Sequence, residues 1–277
     1  MTILVTGVRG QVGSAVLRAL IDAGQEVRAA SRRPGDAAPV EGARTVRFDQ
    51  SDPQTLPDAL AGVHKVFLYA EPEGIEEFTA AARKAGVEHV VLLSSLSADS
   101  GHDDSPIARA HLTVERALDA SGIDRTFVRP GGFSSNALQW AGPIRAARRL
   151  RLAYPQAHSE PIHERDMAEV SVRALLDDAH RGATFSITGP ESLSQQRQVE
   201  LISDALGEPV EVERISAQEY RAELLNHLPA PIADTVISYQ AGQDGTPQPT
   251  RDDVRVVLGR PATGFAQWAA DHAADFR

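Results

Sequence analysis

Near the start of the chain three glycines stand three residues apart, in Thr6-Gly7-Val8-Arg9-Gly10-Gln11-Val12-Gly13, directly after the apolar run Thr2–Val5. A strand that feeds such a loop and then opens a helix is a device for holding phosphates. Gly7 permits the tight turn, Gly10 lets the backbone approach a pyrophosphate, and Gly13 lets helix and strand pack closely. The first N–H groups of the helix have no partner inside it, and with the helix dipole they attract an anion. Thr6, Gly7, Arg9, Gly10, Gln11, Val12 and Gly13 are therefore the candidate dinucleotide-binding loop. An NAD-selective unit carries an acid about 20 residues further on, where it meets the ribose 2′-hydroxyl. This chain has Ser31-Arg32-Arg33 there instead. Guanidinium forks and a hydroxyl bind a 2′-phosphate through charge-assisted hydrogen bonds, so NADP(H) is the expected cofactor. The rival reading is a solvated pair of surface arginines.

Further candidates sit at the ends of later apolar runs. Asp49 follows Arg44–Phe48 and either meets an adenine edge or closes a turn. Tyr69-Ala70-Glu71 ends the run from Lys65, and Ser94-Ser95 ends the run from His89. Ligands of open α/β sheets lie outside the carboxyl ends of the strands, which places Tyr69, Ala70, Glu71 and Ser94 along the cofactor crevice. Either serine has the alternative of capping the loop that follows.

These residues need a parallel sheet behind them, and the periodicity predicts one. Strands are expected at Thr2–Val5, Glu26–Ala30, Arg44–Phe48, Lys65–Tyr69, His89–Leu93, Arg125–Arg129 and Ala183–Thr188. Helices are expected over Gln11–Ala23, Ile75–Ala85, Pro106–Ala120 and Arg165–Asp177, with Gly24, Gly86 and Gly122 as stops. Continuous apolar strands alternating with helices of this length read as βαβ units. Beyond Gly189-Pro190 helices dominate, at Leu193–Leu206 and Ala217–His227, with a short strand at Val210–Arg214 and a loop at Gln243–Gln248. The expected architecture is α/β, a Rossmann doubly wound parallel sheet with a smaller, mainly helical C-terminal domain. The boundaries are 1–190 and 191–277, with 133–162 contributing to a substrate pocket.

Composition narrows the function. The chain has 277 residues, 42% hydrophobic and 24% charged, as in ordinary globular proteins. It has no cysteine, which excludes disulfides and thiolate chemistry. A formal charge of −10 argues against nucleic acid as a partner, while leaving room for a local basic patch. No leader pattern opens the chain and no apolar run approaches bilayer length, so a soluble, cytoplasmic protein is expected. His158 and His163 lack a metal-ligand spacing. In His163-Glu164-Arg165-Asp166 consecutive side chains diverge, and the acids suit a helix start. No metal site is expected, and no Gly-x-Ser-x-Gly elbow is present.

The TGVRGQVG opening, the strand ending LLSS, the stretch HLTVERALDASGIDRTFVRPGGFSSN and the later HERDMAEVSVRALLDDAHRGATFSITGPESLS together resemble the NmrA-like, atypical branch of the short-chain dehydrogenase/reductases. The resemblance covers almost the whole chain. It implies a Rossmann core with a small C-terminal substrate domain, and a family that contains both NADPH-dependent reductases of quinones and dyes and nucleotide-binding regulators. It also implies that the segment after the sixth strand, Arg129-Pro130-Gly131-Gly132-Phe133, passes beside the nicotinamide, with Pro130 and Phe133 touching cofactor. Phe133, Asn136, Leu138 and Trp140 would then form an apolar wall, though core packing is an equal alternative for Leu138 and Trp140.

The chain departs from its tyrosine-dependent relatives where Tyr-x-x-x-Lys would stand. Ile107 and His111 occupy those positions, so the usual proton donor is missing. His111 is the candidate ionisable group, a catalytic acid or a ribose contact, and Glu115 one turn later is placed to orient it. The expected function is hydride transfer from NADPH to a small apolar or aromatic quinone, carbonyl or conjugated compound, by a monomer or homodimer. The alternative is a non-catalytic NADP(H) sensor that binds a protein partner.

Overall fold

The computed structural model describes residues 1–36, 40–99 and 105–277. In chain order its elements are β1 (Thr2–Val5), α1 (Gln11–Asp22), β2 (Glu26–Ser31), β3 (Ala43–Arg47), α2 (Leu56–Leu60), β4 (Lys65–Tyr69), α3 (Ile75–Ala85), β5 (His89–Leu93), α4 (Pro106–Ser121) and β6 (Asp124–Pro130). There follow α5 (Ala141–Ala147), β7 (Arg149–Leu152), β8 (His158–Ser159), α6 (Glu164–Leu176), β9 (Thr184–Ile187), β10 (Leu193–Ser194), α7 (Gln195–Leu206), β11 (Glu211–Arg214), α8 (Ala217–Leu224), α9 (Ala230–Gly242), α10 (Asp253–Leu258) and α11 (Phe265–Asp271).

The chain folds into two compact units, and the division is interleaved rather than a single cut at 190. The first unit is 1–130, 164–187 and 253–260; the second is 131–163, 188–252 and 261–277. Segment 131–163 thus belongs wholly to the second unit. Segments 164–187 and 253–260 return to the first, because β9 completes its sheet beside β6 and the Asp253 carboxylate accepts the Ser186 N–H at 2.7 Å.

The first unit is the doubly wound sheet, in the order β3-β2-β1-β4-β5-β6-β9, with every neighbouring pair parallel. Strand order reverses between β1 and β4, which opens a crevice at their carboxyl ends. β1 and β5 are buried along their full length, as strands covered on both faces must be. Leu4, Val66, Leu68, Phe78, Val90, Leu92, Val114 and Leu118 join one core cluster, which fixes α3 and α4 on one face of the sheet. Positive-φ glycines Gly86 and Gly122 end these two helices where the sequence places their stops.

In the second unit β7 pairs in parallel with β11, and β8 pairs antiparallel with β10. Its core gathers Trp140, Ile144, Leu150, Val199, Phe265, Trp268 and Phe276. α5, β7, β8 and α11 go unforeseen, and three further elements depart from expectation. The helix expected from Leu193 begins two residues later, because Leu193 and Ser194 pair with β8 and the Ser194 hydroxyl caps α7. The helix from Ala217 stops at Leu224 rather than His227. α9 goes unforeseen because Pro229 and Pro231 mask its start, although proline is tolerated in a first turn.

Candidate functional site

The glycine loop is shaped by close approach of its own backbone. Gly7 takes a positive φ of 65°, and the Gly10 N–H donates to the Gly7 carbonyl at 2.9 Å. A Cβ on Gly13 would fall 2.3 Å from the Gly7 oxygen and 2.6 Å from its carbon, so the first turn of α1 lies directly against the loop. Gly10 caps α1 without a side-chain hydrogen bond, and Gly7, Arg9, Gly10 and Gln11 are exposed while Val12 and Gly13 are buried. An exposed glycine loop beneath an uncapped helix N-terminus fits a pyrophosphate. Thr6 has a different task. Its buried hydroxyl accepts the Tyr69 N–H at 2.7 Å and ties the end of β1 to the end of β4 across the crevice.

The remaining expected residues of the crevice divide into two groups. Arg32 and Arg33 stand exposed just past β2, where the Ser31 hydroxyl accepts the Arg33 N–H at 3.2 Å. The Tyr69 side chain is 54% exposed and lies over Gly7, whose Cβ would come within 3.3 Å of the Tyr69 Cβ. Asp49, by contrast, spends Oδ1 on the Ser51 N–H and hydroxyl, the turn alternative. Ala70 is half-buried and Glu71 exposed, and the Glu71 carbonyl accepts Gln50 Nε2 at 2.6 Å. That buried Gln50 also reaches the Glu73 carbonyl at 3.0 Å, pinning the loop after β4 to the end of β3. No sequence motif singles out Gln50; its neighbours in space are more than 20 residues away in the chain.

At the ends of β5 and β6 an ion-pair network occupies residues expected to face the ligand. Glu115, 3% exposed, accepts the Ser94 hydroxyl at 2.5 Å and Arg129 Nε and Nη2 at 2.9 and 2.6 Å. Arg129 also reaches Asp99 at 3.2 Å. Both Glu115 oxygens are thus engaged away from His111. Ser95 follows its loop-cap alternative, accepting the Ser97 N–H at 3.2 Å. The network locks α4 against the carboxyl ends of β5 and β6, and it sets where His111 stands.

His111 is half-buried, and among the described residues its Nδ1 has no hydrogen-bond partner. Burial pulls its pKa below the usual histidine value, and the opposing pull of Glu115 is weaker. The imidazole is therefore neutral near pH 7, a state that hydrogen-bonds well but gives up a proton poorly. Ile107, one turn earlier, is 40% exposed, an apolar side chain at the position where the resemblance expects a tyrosine. Pro130 is buried and Phe133 half-buried, bridged to Ile162 within the second unit. Trp140 enters the core of that unit and Leu138 packs against it, the core alternative, while Asn136 is exposed.

The 163–166 cluster separates as its side-chain directions require. His163 Nε2 lies 3.4 Å from Asp271 Oδ2, whereas the fully buried Asp166 accepts Arg260 at 2.8 Å. No helix among the described residues is long and apolar enough to cross a membrane.

The profile of a family described as NAD(P)H-binding matches residues 7–178, from the glycine turn to the end of the sixth helix. The chain belongs to this NAD(P)H-binding family. Two relatives match it end to end. One is a (4-alkanoyl-5-oxo-2,5-dihydrofuran-3-yl)methyl phosphate reductase of Streptomyces griseus, 36% identical with 99% of each chain covered. The other is an NAD(P)H azoreductase of Xenophilus azovorans, 33% identical with 99% of each chain covered. Among solved structures, an NADPH-dependent quinone oxidoreductase from Escherichia coli has the same fold. Its TM-score is 0.82 at 24% identity, over 98% of this chain and 99% of that one.

Proposed function

We propose that this NAD(P)H-dependent oxidoreductase prefers NADPH and reduces a small quinone, carbonyl or conjugated compound without a Tyr-x-x-x-Lys pair. The observation that carries the reading is the uncapped α1 N-terminus opening onto an exposed glycine loop, with exposed Arg32 at the end of β2 in place of an acid. Bound NADPH supplies a hydride. The chain's own part is to hold the diphosphate on the Gly7–Gly13 loop, to pair the 2′-phosphate with Arg32 and Arg33, and to seat the acceptor against Ile107 and Tyr69. An exposed aliphatic and an exposed aromatic side chain favour a flat, largely apolar acceptor. The relatives support the same class. The Streptomyces griseus protein is named for a ring alkene conjugated with carbonyl groups, and the Xenophilus azovorans protein for an azo compound.

The test is loss of NADPH absorbance against quinones, azo dyes and conjugated ketones, with turnover expected on at least one class. Tight, selective nucleotide binding with no turnover on any of them would instead indicate a nucleotide sensor. Cofactor preference has its own test. Arg32→Asp is expected to weaken NADPH by roughly 1.5–3 kcal/mol, as for charged hydrogen bonds, and to leave NADH affinity nearly unchanged. Equal NADPH affinity in the variant, measured by fluorescence titration, would remove Arg32 from the site.

A further inference from the structure

We infer that Gln50 is a positioning residue for the cofactor, a clamp on the wall against which the adenosine half of the dinucleotide lies. Gln50 and its partners all belong to the first unit, and the inference rests on the NADPH reading proposed above.

The sheet order places the clamp. Right-handed crossovers put α1, between β1 and β2, and α2, between β3 and β4, on opposite faces of the sheet. The crevice at the β1–β4 reversal therefore has two sides. The glycine loop and the α1 N-terminus form one. The loops that lead from β3 into α2 and from β4 into α3 form the other. Leu56, Ala59 and Leu60 of α2 share a core cluster with Ile75 and Phe78 of α3, which sets both helices on that second face. The 2′-phosphate belongs to the adenosine ribose, and Arg32, its expected partner, follows β2. β2 and β3 lie on the same side of β1. The adenosine half thus extends from the glycine loop toward the turn after β3, where Gln50 stands.

Two strands stand between β3 and β4, a separation of about 14 Å at ordinary strand spacing, yet the loops beyond them meet. The buried Gln50 side chain spends both amide hydrogens on the second loop. It donates to the Glu71 carbonyl at 2.6 Å and to the Glu73 carbonyl at 3.0 Å. Gly74 completes the contact. Its φ is 73°, and a Cβ there would overlap the Gln50 carbonyl oxygen and fall 2.6 Å from its carbon. Two backbones in such contact, bridged by an amide, leave the second loop little freedom. Gln50 is itself held by the turn that carries it. The Asp49 N–H donates to the Thr55 hydroxyl at 3.0 Å, and the Asp52 N–H donates to the Asp49 carbonyl at 3.0 Å. Without the amide, the Glu71 and Glu73 carbonyls turn to water, and the loop samples positions that do not seat the adenosine.

The test is Gln50→Leu, which keeps the bulk and loses both donors. The Kd for NADPH is expected to rise about tenfold, as when a loop holds its binding position only a tenth of the time. At saturating NADPH, kcat should stay as in the wild type. The probe that isolates the effect is 2′,5′-ADP, which has the adenosine half and no nicotinamide. Its Kd should rise by the same factor as that of NADPH. Gly74→Ala disturbs the same contact from the other side, and the double variant should lose scarcely more affinity than either single one. An unchanged Kd for 2′,5′-ADP in Q50L, or full additivity in the double variant, would overturn the inference. Should Q50L not fold, Gln50→Asn decides. Its shorter amide does not reach both carbonyls, so a raised Kd supports the clamp and an unchanged one refutes it. Wild-type protein that does not bind 2′,5′-ADP refutes the NADPH reading and the clamp together; binding that Q50L leaves intact refutes the clamp alone.

Discussion

Gly13→Ala is expected to raise the NADPH dissociation constant about 100-fold, equivalent to about 2.8 kcal/mol. The added Cβ would meet the Gly7 oxygen at 2.3 Å, the Gly7 carbon at 2.6 Å and the Thr6 oxygen at 3.0 Å. All three are backbone atoms of the phosphate turn, so relief must come from moving the turn or the helix. Either movement withdraws the α1 N–H groups from the diphosphate, and charge-assisted hydrogen bonds are worth about 1.5–3 kcal/mol each. Gly10→Ala is the graded comparison, since its Cβ would meet the Gly7 oxygen at 3.3 Å and nothing else. It should cost clearly less. Isothermal titration of the folded variants measures both, and a Gly13→Ala protein that binds NADPH like the wild type would show that the loop is not the diphosphate site.

The second large effect concerns stability. Glu115→Ala leaves the Arg129 guanidinium, whose side chain is 16% exposed, with Asp99 at 3.2 Å as its remaining carboxylate, and removes the acceptor of the buried Ser94 hydroxyl. Breaking a buried ion pair from one side costs about 3–5 kcal/mol. The partial exposure of Arg129 and its contact with Asp99 place the expectation at the low end, about 3 kcal/mol. The melting temperature should fall by roughly 6–12 °C for a chain of this size. A double variant, Glu115→Leu with Arg129→Met, removes both charges and should recover at least half of the loss. Thermal unfolding followed by circular dichroism reads all three proteins. A single variant as stable as the wild type would mean that the network contributes nothing to holding α4 in place.

Both effects bear on the same function through different links. The glycine turn positions the cofactor's phosphates. The Glu115 network positions α4, and with it Ile107 and His111. Glu115 was placed by its spacing beside His111, one turn away on the same helix. Its partners are instead Ser94 and Arg129, on β5 and β6, because a buried carboxylate is stabilised far more by a bidentate guanidinium than by a neutral imidazole. Ser94 is drawn into the same arrangement, its proton committed to Glu115. A loss of turnover in a Glu115 variant should therefore be read against its stability before any chemical role is assigned.

The strands of the first unit, its four long helices α1, α3, α4 and α6, and the phosphate turn were legible from the residues because each depends on near neighbours. Apolar runs, glycine stops and a glycine every third residue express backbone geometry and burial within a few positions of one another. Other features came from contacts remote in sequence. Glu160 meets Gly131 across nearly thirty positions, Gln50 reaches the loop after β4, and segments 164–187 and 253–260 rejoin the first unit after the chain has passed through parts of the second. Residue type alone leaves a glutamate's ionisation open, because it follows from how many polar partners and how much water the fold leaves around it. The sequence by itself determined a dinucleotide-binding α/β chain; the tertiary structure decided which of its buried acids are paired and with whom, because those partners lie far apart in the chain.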